Sequence, residues 1–569
     1  MKKLIALFLC LCLMAGIVPV MAENTAVTHE ITSSDVPLYM GSVDLGTPLT
    51  LYFLDGVDDL PYLEINDLNG LLYSVSAIPY SIKAEGSVVS VVRDTPNSPI
   101  DDGAYAAFDF DKDTITFSDF DLFIKKADAT TVIDLLVMPI TNAQGEPSVM
   151  QRVNKESLDR YGDALVVRCG DYGIDLVSQD GKYLVPLQTI NDFFLWPAVD
   201  KGLFYNSKIL IFADQIVAGD ELYYSAPARE RSAELTAYGY NELCMMLDYL
   251  YGLKDAHGIE SFDKLFRSVT FDRTLKGESV ANADLAINHL IKDYFDDGHS
   301  DWKASSWMAG SIKDDVDYGT SVKAMFAETK RYEEARKKYY PDGIPGYEEI
   351  GNTAYITFDS FGIPDFNTER YYLTEDVNSF DDTDTIGLIM KAHAMITREN
   401  SPIENVVLDL SNNGGGVMDT AIFTIAWLLG EASVGVNNVM TGAMCSAVYR
   451  ADANRDRKFD EKDTVADKRV FCLISPVSFS CGNLVPCMLK ESQKATLLGR
   501  TSCGGSCGVQ KASSAWGSSF RISGPKRFSF LKNGSFYDID RGADPDYQIS
   551  TPEKFYDRQA LTEYINSLY

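Results

Sequence analysis

The chain has 569 residues, enough for two or three domains with sizeable cores. It carries 51 Lys and Arg against 82 Asp and Glu, a formal net charge of −31. That balance favours solubility and argues against nucleic acid or an anionic membrane as a partner.

Residues 1–22 open with Lys2 and Lys3, continue in the apolar run LIALFLCLCLMAGIVPV and end in Val20-Met21-Ala22. This pattern reads as a secretory signal peptide cleaved near Ala22, with an uncleaved anchor as the alternative. Cys10 and Cys12 have no small residue immediately before them, so a lipoprotein signal is not indicated. No later segment is long and apolar enough to span a bilayer, so the expectation is an exported protein, secreted or on the cell-envelope exterior, without a membrane partner once cleaved. Eight cysteines follow the leader, and their spacings match no zinc motif. They read as buried small hydrophobes, with a bridge through Cys503 or Cys507 left open.

Residues 30–225 alternate strand patterns (LTLYFL, SVVSVV, TITFS, ALVVRC) with Gly, Asp and Asn turns. Two segments echo each other, LPYLEINDLNGLL at 60–72 and KYLVPLQTINDFFL at 182–195. Each is a short strand, a turn and one amphipathic helix. The region resembles the small β-rich module of copper amine oxidase N-terminal domains, and nothing in it looks like a copper site. A separate β-rich accessory domain is expected here, with a structural or a substrate-presenting role. A linker is placed at 226–240, followed by a helical segment over 241–350.

In that segment ELCMMLDYLYGL and VANADLAINHLIKDYF read as amphipathic helices. The second ends at Asp296-Asp297-Gly298-His299-Ser300, where Gly298 suits a helix C-terminus. His299 therefore sits in a turn, where a histidine is either a favourable dipole contact or a functional base. His257, His289 and His393 lie within helical patterns and look structural, and His29 is near the mature N-terminus. Trp302–Asn352 holds one polar helix and a Pro-Gly loop, and TAYITFDSF from Thr353 reads as the first strand of an α/β core over 351–560.

In VVLDLSNNGGGV, Val406–Val417, an apolar strand stops in Gly414-Gly415-Gly416 before the helical pattern VMDTAIFTIAWLL. Such a turn leaves backbone N–H groups able to face an anion or a developing oxyanion. Val470–Ile474 is a second buried strand, and Ser480 stands where the helix LVPCMLKES would start. A serine there is either an N-cap or a nucleophile. Between the two motifs an inserted acidic loop, 451–464, contains DANRDRKFDEKD. Asp452, Asn454, Asp456, Asp460 and Asp463 fall at positions 1, 3, 5, 9 and 12 of a calcium loop, with Lys458 offering a backbone carbonyl at 7. This resembles EF-hand and dockerin loops, although Arg457 replaces the usual glycine. It reads as a structural calcium site or as a solvated acidic loop.

LDLSNNGGG and SFSCGNLVPCMLKESQKATLLGRTSCGG together resemble the D-L-R-x-N-x-G-G loop and the nucleophile segment of the tail-specific (C-terminal processing) serine peptidase family. The resemblance covers roughly residues 230–550. It implies an α/β (α+β) fold with a helical lead-in and a mixed-sheet, crotonase-like core, and a peptide or protein substrate without an organic cofactor. The family serine falls on Ser480 and its Gly-x-x-T turn on Gly499-Arg500-Thr501. The lysine of the better-known branch would be position 505, which is Gly505. A tricorn-like Ser–His branch is therefore implied, with His299 as base. Cys481 and Gly415 would supply the oxyanion N–H groups, and Ser300 or Asp540 would orient the imidazole, with Asp538 as the alternative acid in YDIDRGADPD. The PDZ domain of many family members has no counterpart between 302 and 352, which leaves selection of free C-termini open. A catalytically degenerate, ligand-binding member is the rival expectation.

Overall fold

The structure is a computed structural model and describes residues 28–94, 103–126, 131–142, 144–310 and 318–569. The expected signal peptide lies outside the described residues.

The echo in the N-terminal region is a structural repeat. Tyr62–Glu64 leads into the helix Ile65–Ser76, and Lys182–Pro186 leads into helical turns from Leu187. The two strands lie side by side, antiparallel, with Leu184 opposite Glu64 and Pro186 opposite Tyr62. A second five-stranded sheet, running from Leu165–Arg168 to Tyr80–Glu85, covers them. Phe108, Phe117 and Phe194 pack between the layers, all essentially buried.

This region is not a separate domain. Met150–Arg160 pairs antiparallel with Met444–Ala451 and forms the edge of an antiparallel sheet. That sheet continues through Ala432–Asn438 and Ser519–Ser529 to Asp301–Ala304, and Cys507–Ser513 also pairs with Ser519–Ser529. Leu51, Phe193, Leu247, Ile287 and Ile522 share one hydrophobic core, which joins the N-terminal region, the helical segment and the sheet. The expected linker also fails as a boundary, because the helix Ala233–Leu250 begins inside it. Ser232 caps that helix by accepting from the Leu235 N–H, and Asp59 holds Ser232 through its N–H and hydroxyl. Leu235 and Tyr238 face partners far away in sequence, so local periodicity did not reveal the helix start.

The peptidase-like core is a largely parallel sheet in the order Tyr347–Ile350, Thr353–Thr357, Asn405–Asp409, Arg469–Ile474, Ala495–Gly499, Tyr547–Gln548. Its central strands are apolar on both faces, as a covered parallel sheet demands. Val406, Leu408, Cys472 and Leu497 pack toward the helices Thr385–Ile396, Met418–Leu429 and Cys481–Ser492. Val407, Phe471 and Leu498 pack the other way, toward Tyr332, Phe555 and Leu561. The loops at the C-terminal ends of Asn405–Asp409 and Arg469–Ile474 carry the glycine run and Ser480, where open α/β sheets place their ligands. A buried ion pair between Arg558 Nη2 and Asp409 Oδ2, 2.6 Å long, anchors the first of these strand ends. No helix among the described residues is long and apolar enough to cross a membrane.

Candidate active site

Ser480 sits at the junction between its loop and the helix Cys481–Ser492 with φ 55° and ψ −122°. Its side chain makes no capping bond, so the N-cap reading does not hold. A non-glycine residue in that backbone region is strained and persists only where its surroundings over-determine it. Here the Ser480 N–H donates to the Gly504 carbonyl at 2.9 Å, and its own carbonyl accepts from Asn483 and Leu484. The glycine loop is laced to the serine loop. Phe479 N–H donates to the Asn413 carbonyl at 3.1 Å, and Ser478 Oγ donates to the Leu410 carbonyl at 2.7 Å. Gly415, at φ +103°, lies so close that a Cβ there would stand 2.7 Å from the Ser480 Cβ.

The expected donor Gly415 is already committed, because its N–H donates to Asn413 Oδ1 at 2.9 Å. Among the described residues the N–H groups of Gly416 and Cys481 have no hydrogen-bond partner. Both residues line the cavity that Ser480 faces. Cys481 is not a competing nucleophile, since burial pushes its thiol up to about 12 and its Sγ contacts the Gly416 carbonyl.

His299 is set by Asp297. One carboxylate oxygen of Asp297 accepts from the N–H groups of His299 (3.0 Å) and Ser300 (2.7 Å) and from Ser523 Oγ. The other accepts from Ser300 Oγ and Tyr251 Oη. The turn is thus pinned to the strand Ser519–Ser529. His299 is 9% exposed, and its ring lies 4.7 Å from that of Phe479, next to Ser480. Burial lowers the basicity of the imidazole, while the charges of Asp297 and Asp540 oppose that shift. His299 and Ser480 line one cavity of about 550 Å³.

Neither expected orienting group reaches the imidazole. Ser300 Oγ is held between Asp297 and the Ser523 N–H. Asp540 accepts from Ser506 and from Arg527 Nη2 at 2.6 Å, and Asp538 accepts from the same guanidinium. The guanidinium, more strongly charged than a neutral imidazole, captures both acids. Among the described residues no hydrogen bond is made to the His299 ring. Asp297 and Phe479 are the two site residues that sequence reasoning missed. The signal for Asp297 was present: an acid two residues before a turn histidine can accept successive backbone N–H groups.

The lysine position is closed by packing. Gly505 has φ +92°, and a Cβ there would stand 2.5 Å from the Phe479 ring. The other histidines play structural parts. His393 accepts from Trp427 Nε1 and is lowered to about 4 by burial, while His257 contacts the Tyr294 carbonyl, His289 pairs with Asp293 and His29 with Asp55. All eight described cysteines are free; seven are buried and Cys503 is exposed, so neither Cys503 nor Cys507 is bridged.

The acidic loop makes its sharp turn despite Arg457. Arg457 adopts φ 58°, and its guanidinium stacks 3.6 Å from the Tyr372 ring centre and pairs with Glu369. Asp452 accepts from the N–H groups of Asp456 and Arg457, and Asp463 accepts from those of Asn454 and Asp460. Burial, with the charges of Asp452 and Asp456, raises the Asp463 carboxyl to about 6. Among the described residues no group of three or more acidic, His or Cys side chains converges as metal ligands.

Residues 352–549 match the model of peptidase family S41. This segment is a peptidase family S41 domain. None of the curated proteins matches the chain. Similar solved structures include the photosystem II D1 C-terminal processing protease, at 19% identity over 35% of this chain and 43% of that one, TM-score 0.25. A lipoprotein from Streptococcus agalactiae is 16% identical over 54% of this chain and 88% of that one, TM-score 0.32. The tricorn protease is 11% identical over 86% of this chain and 46% of that one, TM-score 0.31. The chain therefore spans less than half the length of the first and third, and overall likenesses this low add nothing to the family assignment.

Proposed function

We propose that the protein is an exported serine endopeptidase in which Ser480 is the nucleophile and His299 the base. The observation that carries this is the strained Ser480, held beside two unpartnered N–H groups in a cavity it shares with His299. Ser480 Oγ adds to a peptide carbonyl carbon while its proton passes to the neutral imidazole. The carbonyl oxygen gains negative charge facing the N–H groups of Cys481 and Gly416. Collapse breaks the C–N bond, the imidazolium returns the proton to the leaving amine, and water then hydrolyses the acyl ester. Asp297 holds the histidine turn, and Ser300 and Asp540 act through that turn and its neighbours rather than by contact with the ring. Cleavage of a denatured protein substrate by the wild type and none by Ser480→Ala is the expected result; equal cleavage by both would remove Ser480 from the mechanism.

The unoriented imidazole supports a second reading, a non-hydrolytic peptide-binding protein on the same fold. It predicts peptide binding without turnover. The basic, apolar and small-residue order of residues 1–22 supports export, and N-terminal sequencing of the exported protein tests it: a start near Glu23 is expected, and retention of Met1–Ala22 would contradict it. The ligand order of Asp452, Asn454, Asp456, Lys458, Asp460 and Asp463 and the left-handed Arg457 support a structural calcium ion in the loop, where it would offset the crowded carboxylates.

A further inference from the structure

Part of the lining of the Ser480 cavity comes from the N-terminal region: Leu135, Leu136 and Val137 line it together with Met418, Leu484 and Phe528. This strap is fastened to the core at several points. Val132, Ile133, Leu135 and Met138 are buried in the hydrophobic core beneath the parallel sheet's helices. The N–H groups of Val137 and Met138 both donate to Asp419 Oδ1, at 2.8 and 2.6 Å. Asp419 is itself buried in the first turn of the helix that follows the glycine loop. Lys126 Nζ donates to the Val137 carbonyl at 3.0 Å. In contrast to its neighbours, the Val137 side chain is 51% exposed. Val137 therefore presents an aliphatic side chain from an anchored backbone to the lining of a largely apolar cavity.

We propose that Leu136 and Val137 are specificity-determining residues, and that the strap forms the wall of a subsite for an apolar side chain next to the scissile bond. This rests on the reading of the cavity as a peptide site. The cavity leaves room for several residues of extended peptide, and Met418 and Phe528 add apolar surface to its lining. Burying an aliphatic side chain there favours such peptides over their acidic counterparts by about tenfold or more.

The test uses full-length protein carrying Ser480→Ala, so that peptide is bound and not consumed. The probes are fluorescein-labelled Gly-Ser peptides with one central Leu or Asp. Binding of the Leu peptide about tenfold tighter than the Asp peptide is expected, with that preference lost in Val137→Asp and kept in Val137→Ile. Val137 is exposed, so both variants should fold. In the Ser480 protein, labelling by a small fluorophosphonate reports the nucleophile separately from the subsite. No Leu preference, or a preference that survives Val137→Asp, overturns the proposal. A strap-dependent Leu preference in a protein that neither labels nor cleaves would uphold the subsite and instead defeat the peptidase reading.

Discussion

In the proposed mechanism, Gly505 and His299 are what separate this chain from a lysine-dependent peptidase. A side chain at 505 would need φ +92° and would press into the Phe479 ring. Gly505→Lys should therefore lower stability by about 1–3 kcal/mol and disturb His299 through Phe479, and it should not restore activity to His299→Ala. Thermal melts and peptide cleavage check both; a stable, active double variant would refute this. The pH profile follows from the imidazole. Burial holds its ionisation below the ordinary value of 6.5, so the neutral, proton-accepting form already dominates below that pH. kcat/KM should rise with pH through one ionisation below 6.5 and be flat across neutrality. An acidic limb centred above 6.5 would contradict the buried-imidazole account. The turns that carry Ser480 and His299 were legible from their neighbours in sequence. The partners of the imidazole were not. Arg527 decides where Asp540 and Asp538 point, and it lies on the preceding strand Ser519–Ser529, outside the motif YDIDRGADPD.

At the level of elements, the parallel strands were readable from unbroken apolar runs such as VFCLI, and the two echoing strand–helix units from their repeat. The strand Met150–Arg160 was not assigned to the peptidase, because its partner Met444–Ala451 lies almost 300 residues away and its register slips between Val153 and Leu158. The acidic loop is the element whose prediction is most exposed. Burial, with the charges of the nearby carboxylates, raises Asp463, and an ion bound there only by the folded state should add stability. The melting temperature should fall on chelation and recover with added calcium. Identical melting curves, with no calcium by elemental analysis, would leave a solvated loop capped by its own backbone.

Across the whole molecule, the N-terminal region, the helical segment and the antiparallel sheet share one core, and that core holds an acidic pair. Asp192 and Glu242 are both buried, and each keeps one oxygen without a donor, Oδ2 and Oε1 respectively. Gln188, Thr189 and Tyr238 serve the remaining oxygens or flank them. Burial raises both carboxyls, Glu242 from 4.5 to about 7 and Asp192 upward as well, with Glu242 as its second cause. The geometry suits two carboxyl groups sharing one proton. The folded protein keeps protons that the unfolded chain releases, so the stability from the pair is full below pH 4.5 and is lost as pH rises, Glu242's share through about 7. Glu242→Gln should flatten the fall in stability over that window in urea melts at stepped pH. An equal slope in the variant would show that the pair does not titrate there.

In the proposed mechanism Ser480 is an activated nucleophile. Intact-mass and peptide mass spectrometry of the full-length protein after reaction with a fluorophosphonate tests it most directly. The account predicts a single adduct on the peptide containing Ser480, slowed in His299→Ala and absent in Ser480→Ala. A wild-type protein that takes no adduct, or an adduct that survives Ser480→Ala, would contradict it.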